Sequence, residues 1–176
     1  DKALAGRLGG GSERAALVPS QPYSALARPF AFNVIPQVGG INSSGNSSEE
    51  LKVAAELKEI WGAPNLRVSV TAVRVPVIRG HSLAAWLTFA KPLSPARARG
   101  LMAKTAGLVL SQPNDYPTPL SAAGRGPVYA GRVRAGAVAN ELCLWIVSDN
   151  LLKGAALNSV QIAELLVKKG WLKNDK

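Results

Sequence analysis

The spacing of apolar positions predicts a helix in the first half of the chain. Ser47 followed three residues later by Glu50 forms a capping box, which is a common helix start. Apolar residues then recur at helical spacing on one face: Val53, Leu57, Ile60 and Trp61. Gly62 and Pro64 follow, so we expect the helix to end there.

Elsewhere the pattern predicts strands that alternate with two more helices. Residues 66–77 alternate in the manner of a strand. Further strands are predicted at about 83–89, 107–111, 127–134 and 141–148. Helices are predicted from the cap Ser94 to about Lys104, and over about 151–169 with Asp149 or Asn150 as the cap. This order predicts an α+β fold in which a mixed β-sheet carries helices on one face.

Composition divides the chain into an arm and a domain. Residues 1–29 contain Gly9-Gly10-Gly11 and spaced prolines, so we expect an irregular arm. Residues 30–176 are predicted to form one domain, because a chain of 176 residues with 47% hydrophobic content can bury a core. No apolar run approaches the ~20 residues of a membrane helix, and no signal peptide is expected.

The net charge and the single cysteine and histidine limit the kinds of function that this chain can have. Lys and Arg total 21 against 11 Asp and Glu, and the net charge of +10 predicts either a polyanionic partner or a solvated basic surface. The single cysteine, Cys143, excludes an internal disulfide framework, and with His81 as the single histidine no metal site is expected. These counts favour a reduced compartment, either the cytoplasm or an organelle such as a mitochondrion or plastid.

Four polar residues have chemistry suited to a small substrate with carboxylate, amine and phosphate groups. Arg74 interrupts an apolar strand face, and its guanidinium suits a carboxylate. His81 follows a glycine that permits a tight turn, while Glu49 and Lys52 project from one side of a helix. Each also has a structural interpretation: a sheet-edge cation paired with an acid, a hydrogen-bonding histidine, and a solvated helix face. Spacing alone leaves both interpretations open.

Seven motifs occur in the order typical of one enzyme family. They are FNVIPQ (32–37), EELK (49–52), VRVPVIRGHS (73–82), YPTPL (116–120), GRVR (131–134), LWIVSDN (144–150) and KGAALN (153–158). Together they make residues 30–169 resemble the C-terminal half of aspartate-semialdehyde dehydrogenase, the substrate-binding and dimerisation half. The resemblance implies the C-terminal-domain fold that this family shares with glyceraldehyde-phosphate dehydrogenases.

The resemblance also implies a role for each candidate residue. Arg74 is expected to grip the substrate carboxylate, and His81 to act as the acid–base group. Glu49 and Lys52 are expected to contact the substrate amine and phosphate, and Asn150 to approach the nicotinamide. The implied reaction is the NADP-dependent reductive dephosphorylation of L-aspartyl 4-phosphate to aspartate semialdehyde through a cysteine thioester.

Two departures from the family pattern limit what this chain is expected to do alone. The family's nucleophilic cysteine and dinucleotide-binding loop lie upstream of the matching region, and neither occurs in these 176 residues. Cys143 stands inside an apolar strand, where the family usually has asparagine, and is expected to be a small core residue. We therefore predict an inactive chain that needs an N-terminal dinucleotide-binding half or a homologous subunit, in a homo- or hetero-oligomer. The broadly apolar last helix is expected to pack on that partner.

A second function remains open. The missing catalytic half and the basic charge also fit a non-catalytic scaffold subunit, derived from a dehydrogenase, in a larger and organellar ribonucleoprotein assembly. Clustered cations contact phosphate backbones without sequence specificity. The clustered cations are Arg97, Arg99, Lys104, Arg125, Arg132, Arg134, Lys168, Lys169, Lys173 and Lys176.

Overall fold

A computed structural model describes residues 30–171, so the arm predicted at 1–29 lies outside the described residues. The chain divides into two compact units, one ending at Pro76 and the other beginning at Val77.

Within residues 30–76, the first unit contains one helix, α1, which spans Ser48–Ile60. The predicted capping box is confirmed: the Ser47 hydroxyl accepts a hydrogen bond from the Glu50 amide at 3.4 Å, and a Glu50 carboxylate oxygen accepts one from the Ser47 amide at 2.6 Å. Ser47 is buried, and the helix ends before Gly62, whose φ is +58°. The start and end signals in the sequence therefore fix this helix.

The strand predicted at 66–77 is wrong. The segment forms a single antiparallel bridge, between Ile35 and Arg74, with N···O distances of 3.0 and 2.8 Å. Pro36 follows Ile35 and has no N–H with which to extend a ladder. The Ala72 amide, two residues before Arg74, donates instead to a carboxylate oxygen of Glu50 at 2.9 Å. The segment is thus tied at isolated points, and no continuous partner strand runs beside it in residues 30–76.

The second unit is built on a mixed four-stranded sheet, which confirms the predicted fold class. The strands are β1 (His81–Thr88), β2 (Leu108–Leu110), β3 (Val128–Ala135) and β4 (Glu141–Ser148), in the spatial order β1-β4-β3-β2. β1 pairs with β4 in antiparallel register along its whole length. β3 is antiparallel to β4, with an irregularity between Gly131 and Arg134, and β2 is parallel to β3.

Between residues 77 and 171, three α-helices and a π-helix accompany this sheet. They are α2 (Pro95–Met102), α3 (Pro119–Ala122), the π-helix Leu152–Ala156, and α4 (Leu157–Lys168). The predicted cap of α2 is confirmed, since the Ser94 hydroxyl accepts from Arg97 N. α3 was not predicted, because a four-residue helix shows no apolar period.

The helix predicted at 151–169 begins with an unpredicted π turn. Gly154 N donates to Asp149 O at 3.0 Å, and Ala156 N donates to Leu151 O at 3.3 Å, so the chain makes five-residue steps before it becomes α-helical. Gly170, with a φ of +66°, follows the end of α4.

The core of the second unit centres on β4. The buried apolar residues of this unit are Ala98, Ala122, Ala130, Leu142, Cys143, Leu144 and Val147. Cys143 is therefore a small core residue, as predicted. α2 packs against β2 and β3, and α3 packs against β4.

The two longer helices, α1 and α4, leave their apolar side chains at least partly exposed to solvent. Neither α1 nor α4 buries a residue, and Val160, Ile162 and Leu165 of α4 each expose half or more of their surface. In the described residues, no helix is long and apolar enough to span a membrane. That α4 packs on a partner stays a prediction.

The α1 cap gives a direct stability prediction. Ser47→Ala removes the hydroxyl that accepts from the Glu50 amide and is expected to lower the free energy of unfolding by about 1 kcal/mol. Urea denaturation with an unchanged m value measures it. Ser43→Ala, at an exposed position of the preceding loop, is the matched control and should change stability by less than about 0.5 kcal/mol. Equal effects of the two substitutions would show that the cap does not stabilise α1.

Candidate functional site

The first unit carries the three residues predicted to bind substrate. Glu49 and Lys52 lie one turn apart on α1, with Lys52 Nζ 4.0 Å from a carboxylate oxygen of Glu49 and 4.0 Å from one of Glu56. The Lys52 side chain is 58% exposed, so these long ion pairs hold it weakly. Both groups are therefore free to turn towards a ligand.

Arg74 is fixed through its backbone. Its amide and carbonyl both bond to Ile35, while its side chain is exposed. Among residues 30–171 the Arg74 guanidinium forms no ion pair, so the paired sheet-edge cation considered above is not observed. An exposed guanidinium on an anchored backbone can bind a carboxylate through two parallel hydrogen bonds.

Glu50 connects α1 to the segment that carries Arg74. One of its carboxylate oxygens accepts from Ser47 N at the start of α1, and the other accepts from Ala72 N. Hydrogen bonds from the Ser47 backbone and then the Ala72 backbone hold the pKa of the Glu50 carboxyl below its usual value of 4.5. Glu50 therefore ties the start of α1 to the Arg74 segment, a role that the capping-box motif alone did not reveal.

The second unit brings together the remaining two predicted residues, His81 and Asn150. His81 begins β1 and pairs with Ser148, the last residue of β4. Immediately before it, the amide of Gly80 donates to the side-chain oxygen of Asn150 at 2.7 Å. The acid–base candidate and the nicotinamide-side candidate thus lie at the same end of the sheet.

Gly80 and Gly154 make room for this arrangement. Gly80 has a φ of +106°, which favours glycine, and a Cβ there would lie 3.2 Å from Pro119 Cβ and 3.4 Å from Ser148 O. A Cβ on Gly154 would lie 3.8 Å from Cδ2 of His81, so the backbone of the π-helix runs beside the imidazole edge. π turns are frequent at functional sites.

Asp149, the residue before Asn150, has no exposed surface. Its Oδ2 is 2.7 Å from Nε of Arg79 and accepts from Gly124 N at 2.6 Å. Its Oδ1 accepts from Leu151 N at 2.8 Å and Leu152 N at 3.0 Å. The sequence predicted Asp149 only as a helix cap. Its place in the LWIVSDN motif, and that of Arg79 in the VRVPVIRGHS motif, were the available signals that it also joins these segments.

These contacts, together with burial, determine the pKa of the Asp149 carboxyl. Burial by itself raises the pKa of the carboxyl, because a charge is costly away from water. The backbone hydrogen bonds, led by those from Gly124 and Leu152, act together with the nearby Arg79 guanidinium; they outweigh burial and lower the pKa to about 2. The carboxylate is therefore charged at neutral pH, and both of its oxygens accept hydrogen bonds.

The predicted site residues are thus divided between the units: Glu49, Lys52 and Arg74 in the first, and His81 and Asn150 in the second. Within residues 30–171, no three side chains of His, Cys, Asp or Glu converge to hold a metal ion.

The family model described as semialdehyde dehydrogenase, dimerisation domain, matches residues 5–153. The chain belongs to this semialdehyde dehydrogenase family. An aspartate-semialdehyde dehydrogenase from a Synechocystis species is 43% identical over 151 residues, which cover 84% of this chain and 45% of that relative. The resemblance predicted from the seven motifs is confirmed.

Solved structures agree with this membership. Aspartate semialdehyde dehydrogenase II from Vibrio cholerae, complexed with ASA, is 37% identical with a TM-score of 0.81, over 84% of this chain and 44% of that chain. Aspartate semialdehyde dehydrogenase with NADP from Candida albicans is 25% identical with a TM-score of 0.65, over 81% and 46%. The chain thus spans less than half the length of each relative described here.

Gly80 gives a test of how tightly the second unit is built. Gly80→Ala is expected to lower the free energy of unfolding by about 1–2 kcal/mol for the positive φ and by about 1 kcal/mol or more for the contact with Pro119. Gly107→Ala is the matched control, because Gly107 has a φ of +77° and open space where a Cβ would lie. Urea denaturation of both variants measures the difference, and equal losses would show that the crowding at Gly80 has no cost.

Proposed function

We propose that this chain supplies the substrate-binding half of an aspartate-semialdehyde dehydrogenase. The reaction is the NADP-dependent reductive dephosphorylation of L-aspartyl 4-phosphate to aspartate semialdehyde. The bond between Gly80 N and the Asn150 side chain supports this proposal best, because it joins the acid–base histidine segment to the residue that faces the nicotinamide. One relative solved with ASA and another solved with NADP support this choice of reaction and cofactor.

In this proposal the first unit recognises the substrate. The exposed guanidinium of Arg74 binds the substrate carboxylate, which the planar fork fits. Glu49 accepts from the substrate amine, and Lys52 neutralises the phosphate, so neither needs a strong ion pair within the protein. Their 4.0 Å separation is consistent with groups that pair closely only with a ligand.

His81 moves protons at the reacting carbon. Its imidazole can take the proton of a thiol that attacks the acyl phosphate as phosphate leaves, and can return a proton to the sulfur that departs after hydride transfer. NADPH, when bound, supplies the hydride. Asn150 uses its side-chain oxygen to hold Gly80, which leaves its amide nitrogen as a donor for the nicotinamide carboxamide. The residues present therefore fit the nicotinamide end of the cofactor.

The nucleophile and the dinucleotide loop are supplied from outside these 176 residues in this proposal. Cys143 is 4% exposed within β4. Reactive cysteines are partly exposed, so this buried thiol is not the nucleophile. The exposed apolar residues of α4 are the surface on which a dinucleotide-binding half packs. Because a nucleophile and its base act as one unit, the chain alone is inactive.

Complementation tests the function. The chain mixed with a dinucleotide-binding half from a relative is expected to reduce aspartyl phosphate with NADPH, whereas neither half alone does so. His81→Ala should lower kcat of the complemented enzyme by about 10²–10⁴-fold, because it removes acid–base catalysis. Thr88→Ala, at the opposite end of β1, is the control and should retain activity.

Activity that survives His81→Ala would contradict the assigned role. No activity on complementation, together with RNA co-sedimentation abolished by high salt, would favour the scaffold function instead.

A further inference from the structure

Asn150 lies just beyond the regular part of the sheet. The β1–β4 ladder ends with the pair His81 and Ser148, so ladder pairing fixes His81 but does not reach Asn150. A side chain outside a ladder holds a fixed position only where other contacts restrain its backbone. Those contacts come from Asp149, the residue between Ser148 and Asn150.

The Asp149 carboxylate restrains the chain on both sides of Asn150. Its Oδ1 accepts from the Leu151 and Leu152 amides, which fixes the turn after Asn150. Its Oδ2 contacts Arg79, which precedes the Gly80 amide that Asn150 binds. One carboxylate therefore holds both partners of the Gly80–Asn150 hydrogen bond.

We propose that Asp149 is a positioning residue that fixes the Asn150 carboxamide beside His81. This inference rests on the proposed function. Asp149 has no exposed surface and its contacts are internal, so it acts on the reaction only by holding the Asn150 and Gly80 segments in place. Its loss should therefore impair the nicotinamide contact more than the substrate contacts, which belong to the first unit.

The first test uses the full chain alone. Asp149→Asn keeps the side-chain size but removes the charge and one acceptor. Amide hydrogen exchange at Gly80, whose N–H donates to Asn150, is expected to accelerate at least about tenfold, while Ala85 in the middle of β1 changes by less than about threefold. Glu141→Gln, the same carboxylate-to-amide change at the other end of β4, should leave both amides unchanged.

The second test uses the complemented enzyme. Asp149→Asn is expected to raise KM for NADPH at least about fivefold and to leave KM for aspartyl phosphate unchanged. A merely structural role would reduce the folded fraction and lower apparent kcat without moving either KM. Glu141→Gln should leave all three constants unchanged.

These measurements distinguish a positioning role for Asp149 from a purely structural one. Equal acceleration of Gly80 and Ala85 exchange, or none beyond that of Glu141→Gln, would overturn the positioning role. If Asp149→Asn does not fold, Arg79→Lys decides in its place: selective acceleration at Gly80 supports the role, and an unchanged rate overturns it. If complementation gives no activity, the proposed function fails, while the exchange measurements still decide the role of Asp149.

Discussion

A carboxylate with no exposed surface lies just beyond the end of the antiparallel β1–β4 ladder. Burying the charge of Asp149 is costly, and the cost is offset because a guanidinium and backbone amides from three separate places in the sequence converge on it. Arg79 precedes β1, Gly124 follows α3, and Leu151 and Leu152 begin the closing helices. The positions of all three segments therefore depend on one side chain.

The first unit uses the same device on a smaller scale. The two carboxylate oxygens of Glu50 bind the amides of Ser47 and Ala72, so the start of α1 and the Arg74 segment are held together without a ladder. In each unit, the residues proposed to meet the substrate or cofactor adjoin such a carboxylate. Charged hydrogen bonds to backbone amides are strong enough to order segments outside regular secondary structure.

The sequence predicted the parts of this fold that local patterns encode. The α1 capping box, the Ser94 cap and the extent of β4 depend on residues close in sequence, and they were predicted correctly. The strand at 66–77 was not, because alternation shows an extended chain but not whether a partner strand exists. The π turn at Leu152–Ala156 was missed, since five-residue steps leave no apolar period.

For the candidate site, residue types were predictable but their connections were not. His81 and Asn150 lie 69 residues apart in the sequence, and no spacing rule joins them through Gly80. The role of Asp149 depends on burial, which the sequence does not show. The direct test is the titration of the Asp149 carboxyl by carbon-13 NMR in the full chain. We predict a pKa of about 2 and a free energy of unfolding that declines as pH falls below 3.8 towards that value. A pKa at or above the ordinary 3.8 would contradict it.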